Sequence, residues 1–171
     1  NVFQKDYPHR NDQIPVIEAI EGQLITNCKW MNPTIKEGQI LTNTTKDILK
    51  LVVYNRYHTA SPKIAFIHKF GFTKGAIAST VAHDSHNIIA VGVDDASIMN
   101  AINEVVQTKG GISCVNGQTI KILGLPVAGL MTPEDPYKVT EEYIAIDQMA
   151  KGLGGKLNAP FMTLSFMALL V

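Results

Sequence analysis

Cysteine is scarce in this chain of 171 residues: there are two, Cys28 and Cys114, far apart in sequence. Such a pair fits neither a CxxC metal pattern nor a disulfide framework, so a reduced, cytoplasmic setting is the expectation. An excess of one charge is also lacking. Fifteen basic and fifteen acidic residues give a formal net charge of zero, so no long-range field draws in nucleic acid or an anionic membrane surface. No apolar run approaches the ~20 residues a spanning helix needs. The start, Asn1 to Asp12, is polar and mixed in charge, unlike a secretory signal, so a soluble protein is expected.

Several catalytic signatures are missing too. Ser79, Ser85 and Ser165 lie outside any GxSxG elbow, and no Cys-His motif has a recognisable local context. Gly71, Gly75, Gly110 and Gly111 form neither GxxxxGKS/T nor GxGxxG, which excludes a phosphate loop and leaves turns and caps. His9, His58 and His68 are isolated in sequence.

What is present suffices for one domain with a substantial core, since 46% of the residues are hydrophobic. The absence of an initiator Met and the apolar run Phe166 to Val171 suggest a fragment of a longer polypeptide, whose missing part covers that end. No linker or internal repeat divides residues 1–171.

The first third reads as short strands and turns. Ile14 to Glu21 and Gln23 to Trp30, separated by Gly22, alternate apolar positions and suggest a hairpin or bulged pair. Strands are expected at Ile48 to Tyr54 and Lys63 to Phe70, the latter with Ile64, Phe66 and His68 on one face. In the second half, Asp94-Asp95 precede Ile98, Ile102, Val105 and Val106, and Gly110-Gly111 follow, which predicts an amphipathic helix with an acidic start and a glycine stop. Asn116-Gly117 predicts a hairpin turn between Ile112 to Val115 and Thr119 to Leu123. Val139, Tyr143, Ile146, Ala150 and Leu153 recur at helical spacing from Pro136 to Leu153. Leu125 to Met131 reads as an apolar loop, and Asn158 to Phe166 as an apolar run suited to core packing, with a substrate-binding wall as the alternative. The fold class these elements imply is α+β, with a mixed or mainly antiparallel sheet and two principal amphipathic helices.

The chemistry concentrates in His83-Asp84-Ser85-His86-Asn87, set between Ile77 to Ala82 and Ile88 to Val93. Apolar flanks of that kind read as buried strands, so five polar groups fall at a strand-to-strand or strand-to-loop junction, where unpartnered burial is costly. Three readings follow. His83, Asp84 and His86 are good metal ligands by type, although residues three apart on a strand point to opposite faces and no HExxH is present. The five side chains could instead satisfy one another and fix a sharp reversal. They could also form a polar surface facing a substrate or a neighbouring domain.

Gly75 to Gly92, then Leu125 to Met131, then Pro160 to Phe166 resemble the C-terminal domain of bacterial adenine deaminases. The likeness runs in order from about Ile14 to the last residue and includes Asn55-Arg56. It implies an amidohydrolase-type enzyme that hydrolyses a C–N bond of a cyclic amidine, converting adenine and water to hypoxanthine and ammonia in purine catabolism. It further implies a manganese or iron centre held by a His-x-His pair, with further His and Asp ligands, in a preceding (β/α)₈ barrel. The chain contains no His-x-His. The resemblance therefore assigns no catalytic residue and no metal ligand here. His83, Asp84, Ser85, His86 and Asn87 become candidates for contact with substrate or for support around it. The expected partners are adenine, the barrel and further copies in a homo-oligomer; the alternative is a purely structural or oligomerisation domain, and an independent small-molecule binding domain is a third reading.

Overall fold

The computed structural model describes residues 7–169, so Leu170 and Val171 of the apolar end lie outside the described residues. Ten strands and three helices follow in the order β1 (Ile14–Glu18), β2 (Asn27–Met31), β3 (Thr34–Lys36), β4 (Gln39–Leu41), β5 (Leu49–Tyr54), β6 (Lys63–His68), β7 (Ala76–Ser79), β8 (Ile88–Gly92), α1 (Asp95–Gln107), β9 (Gly111–Asn116), β10 (Thr119–Gly124), α2 (Pro136–Lys151) and α3 (Pro160–Phe166). Eight strands form one sheet in the order β10-β9-β7-β8-β5-β6-β1-β2, while β3 and β4 pair separately. Every pairing in the sheet is antiparallel except β1 with β6, which is parallel. The α+β fold with a mainly antiparallel mixed sheet is as the sequence implies.

The two faces of the sheet follow from the period of two in its central strands. Ala76, Ala78, Ile88 and Ala90 face α1 and pack with its Ile98, Ala101 and Val105. Ile77, Ile89 and Val91 face the other way, into the larger core with Ile146, Ala150, Leu153, Phe161 and Leu164 from α2, α3 and the segment that joins them. Small residues set the close approach of α1: a Cβ on Gly92 would lie 2.6 Å from the Ala76 Cβ and 2.7 Å from an Ile98 carbon. The Ser113 hydroxyl of β9 spans the same contact, donating to the Ala101 carbonyl at 2.7 Å.

Helix α1 begins where Asp94 accepts from the Ser97 N–H at 2.7 Å, a side-chain cap on a helix that buries one stripe. That stripe is Ile98, Ala101 and Val105, whereas Val106 is half exposed. Ala101 thus takes the place that the spacing assigned to Val106. At the stop Lys109 takes the left-handed position next to the helix (φ 60), and the expected glycines follow at positive φ, Gly110 at 131 and Gly111 at 152. The Lys109 N–H bonds to the Val106 carbonyl and that of Gly110 to the Val105 carbonyl, the paired bonds of a Schellman ending. Helix α2 is capped by Asp135, which accepts from the N–H groups of Tyr137 and Lys138, with Pro136 at its first position.

The hairpin β9–β10 forms as expected, but its turn is shifted by one residue. Asn116 pairs with Thr119, so Gly117 and Gln118 occupy the corner. Gly117 has φ +60 and Gln118 does not share the left-handed region, the pattern of a turn with glycine first rather than of an Asn-Gly turn. The run Asn158 to Phe166 is core packing, as expected, and takes the form of the short helix α3, in which Phe161 and Leu164 are buried. Phe166 at its end and Ala168 beyond it pack on the core and Met167 is buried, so this part of the apolar end is already covered from within.

Candidate functional site

Strand register decides which loops meet. Tyr54 at the end of β5 pairs with Ile88 at the start of β8. Ser79 at the end of β7 pairs with Ile89 and with Ile112, near the start of β9, and Gly111 pairs with Gly124 at the end of β10. The connections after β5, β7 and β10 therefore emerge at one end of the sheet. They carry Asn55 to His58, His83 to Asn87 and Leu125 to Met131, stretches from distant parts of the chain.

Side chains then join these connections. The Thr80 hydroxyl donates to the Gly129 carbonyl at 2.6 Å and accepts from the Gly111 N–H at 2.8 Å. The Arg56 guanidinium donates to the Ala128 carbonyl and lies over the Tyr57 ring, 5.0 Å from its centre. Asn55 shapes its own turn by accepting from the N–H groups of Tyr57 and His58 at 2.8 and 3.0 Å. That turn reaches the polar cluster twice: Tyr57 donates its hydroxyl proton to the Ser85 carbonyl at 3.1 Å, and Asn87 Oδ1 accepts from the Arg56 N–H at 3.4 Å.

His83 to Asn87 form the reversal between β7 and β8, a strand-to-strand junction as its flanks imply. The reversal is held chiefly by main-chain groups and by residues outside the cluster. The His86 N–H bonds to the Ala82 carbonyl at 2.7 Å, and the His83 N–H to the Ser165 carbonyl of α3 at 3.1 Å. Within the cluster, the side chains of Asn87 and Ser85 meet at 3.3 Å. The His83 ring stacks on Phe166, with centres 5.6 Å apart and planes 24° apart, and its centre is 6.2 Å from that of His86.

His86 has φ 51, and its Nδ1 is buried with no hydrogen-bond partner among the described residues. Asp84 and Ser85 are exposed, while His83, His86 and Asn87 are half-buried. A mutually satisfied network is therefore not what the five side chains build. They are presented on a turn that other groups secure. A neutral imidazole offers one donor and one acceptor, and a carboxylate offers acceptors only, so together they suit a ligand edge carrying both kinds of group.

Among the described residues no set of three or more His, Cys, Asp or Glu side chains is placed to hold a metal ion, so these residues do not fit the metal centre that the resemblance implies. Among the isolated histidines, His68 sits in a structural contact, its Nδ1 3.0 Å from the Asp47 carbonyl and 3.5 Å from the Asp47 carboxylate. No described helix is long and apolar enough to cross a membrane. Tyr57, Thr80 and Phe166 belong to the site's framework although composition did not single them out. Tyr57 adjoins the Asn55-Arg56 pair, and that adjacency was the available signal. Thr80 is hidden in an apolar run, and the aromatic partner of His83 lies 83 residues away in sequence.

The architecture is that of an α+β domain that presents a polar reversal where several distant loops are tied together. Comparison with known proteins makes the class specific. Residues 23–171 match the family described as adenine deaminase C-terminal domain, and the chain belongs to that family. It is 46% identical over 157 residues to an adenine deaminase of Sulfurovum sp., covering 91% of this chain and 28% of that protein. It is 45% identical to an adenine deaminase of Methanosarcina acetivorans over 93% of this chain and 29% of the relative. An adenine deaminase of Borreliella burgdorferi is 42% identical over 95% of this chain and 30% of its own length. The chain thus spans less than a third of each of these relatives.

Proposed function

We propose that residues 1–171 are the C-terminal domain of an adenine deaminase, a hydrolase that converts adenine and water to hypoxanthine and ammonia. In this reading the His83–Asn87 turn faces the purine site. Family membership supports the activity of the whole protein. The observation that carries the role of this segment is that the reversal is secured by the Ala82 and Ser165 carbonyls and by Tyr57 and Arg56, while His86 Nδ1 has no partner among the described residues.

Deamination breaks the bond from the ring carbon to the amino group, with water supplying the new oxygen and the amine leaving as ammonia. The purine must be oriented by donors and acceptors along its edge. The imidazoles of His83 and His86 can give a ring nitrogen an N–H or take one from the amino group, and Asp84 can orient an imidazole. The manganese or iron implied by the family would be held by residues beyond this segment, in the preceding barrel. The part proposed for the present residues is to bind and orient.

The alternative is bracing alone, favoured by the same Tyr57–Ser85 and Arg56–Asn87 bonds that pin the turn. Full-length deaminase carrying His86→Asn or Asp84→Asn separates the two. An orienting role predicts a fall in kcat/KM on the order of tenfold to a thousandfold with metal content intact. Unchanged kinetics with a lowered denaturation midpoint would leave bracing as the role.

A further inference from the structure

At the same end of the sheet, beside the His83–Asn87 turn, lies a cleft of about 600 Å³. It is bounded by the Asn55–Thr59 turn, the C-terminal end of α1 and the loop from Pro126 to Gly129. Two Lys or Arg side chains, Arg56 and Lys109, line it together with His58, and none of its described lining residues is acidic. The chain as a whole has equal numbers of basic and acidic residues, so the local surplus comes from placement. Tyr54, Val106 and Pro126 supply apolar wall.

Among the described residues neither Arg56 nor Lys109 forms an ion pair. Arg56 spends one N–H on the Ala128 carbonyl and rests on the Tyr57 ring, yet its Nε is buried with no hydrogen-bond partner among the described residues. Arginine keeps its charge under all ordinary conditions, and its planar fork suits a carboxylate or phosphate. Lys109 is set at the rim by the ending of α1, with its backbone at φ 60 and its N–H on the Val106 carbonyl. Its side chain is exposed. A guanidinium and an ammonium lining one cleft whose described lining holds no carboxylate suit an anion.

We infer that this cleft binds a small organic anion, with a carboxylate or phosphate group held by Arg56 and Lys109 and an apolar body against Tyr54, Val106 and Pro126. The cleft requires no turnover of adenine. Ammonia release from adenine tests the deaminase reading, and the binding measurements here test this one.

The intact protein would be titrated by calorimetry with inorganic phosphate and, separately, with benzoate, in chloride buffer. Saturable one-site binding of at least one probe at ~10 mM or below is expected. Phosphate alone would identify the phosphate class and benzoate alone the carboxylate class. Lys109→Gln, a change of an exposed side chain, is expected to weaken binding about fivefold or more, and Lys121→Gln on exposed β10 to leave it unchanged. Arg56→Lys, which keeps the charge and removes the fork, should weaken it as well. Absence of saturable binding by either probe would overturn the proposal, as would binding that Lys109→Gln leaves at the wild-type level.

Discussion

Gly129 has no side chain where the Arg56 guanidinium lies: a Cβ built on Gly129 would overlap a guanidinium nitrogen. The same glycine has φ +75, and its carbonyl accepts the Thr80 hydroxyl at 2.6 Å. Arg56 and Gly129 therefore act as one clamp between the loop after β5 and the loop after β10.

Gly129→Ala is expected to displace the guanidinium rather than the backbone, because the clash falls on the far end of a flexible side chain. The left-handed backbone and the lost bond to the Ala128 carbonyl together cost about 1 to 3 kcal/mol. Arg56→Ala added to Gly129→Ala should cost less than Arg56→Ala alone, as a double-mutant cycle by urea denaturation would show. Additive losses would mean that the two residues do not form a unit.

The His83–Asn87 turn separates groups that hold it from groups it displays. Tyr57→Phe removes the bond to the Ser85 carbonyl and should lower stability by about 0.5 to 1.5 kcal/mol. His86→Asn should stay within about 0.5 kcal/mol of wild type, since asparagine tolerates the left-handed backbone at this position and Nδ1 has no described partner to lose. Denaturation midpoints of the two variants provide the test, and a larger loss for His86→Asn would contradict the division.

The β9–β10 corner yields a contrast between neighbours. Gly117→Ala places a side chain at φ +60 in open space and should cost about 1 to 2 kcal/mol from the backbone alone. Asn116 pairs within the ladder, so Asn116→Thr should change stability by no more than about 0.5 kcal/mol. Equal losses at both positions would place the corner back at Asn116-Gly117.

Burial pushes the Cys114 thiol from an ordinary 9.0 up to about 12, whereas Cys28 is exposed. An alkylating reagent at pH 8 should therefore modify Cys28 in the native protein and reach Cys114 only after denaturation. Between pH 9 and pH 12 the unfolded chain releases the Cys114 proton while the folded chain retains it. Stability should fall as pH rises through that window, by at most about 1.4 kcal/mol per pH unit from this group. Cys114→Ala should remove that component of the slope, and an unchanged slope would refute the assignment.

The elements legible in the sequence are those whose causes are local. Asp94 and the spacing of Ile98 and Val105 define α1, continuous apolar runs define the buried strands β7 and β8, and a glycine at the corner defines the β9–β10 hairpin. Details within a turn were less legible. Lys109 takes the left-handed position one residue before the two glycines, with the paired main-chain bonds of a Schellman ending. Helix α3 has only seven residues and no side-chain cap, too little for a periodic signal. For the site, the residue types in His83–Asn87 and the family likeness were readable from the chain. The neighbours of that turn were not. Tyr57 meets Ser85 across 28 residues and Arg56 meets Ala128 across 72, contacts set by the order and register of β5, β8, β7, β9 and β10. Strand order is chosen by the burial of both sheet faces at once, and no short stretch of sequence encodes it. The sequence by itself therefore determined which groups could do chemistry. Only the tertiary structure decided that their reversal is held from outside, leaving the His86 Nδ1 unpaired among the described residues and the Arg56 guanidinium beside an open cleft.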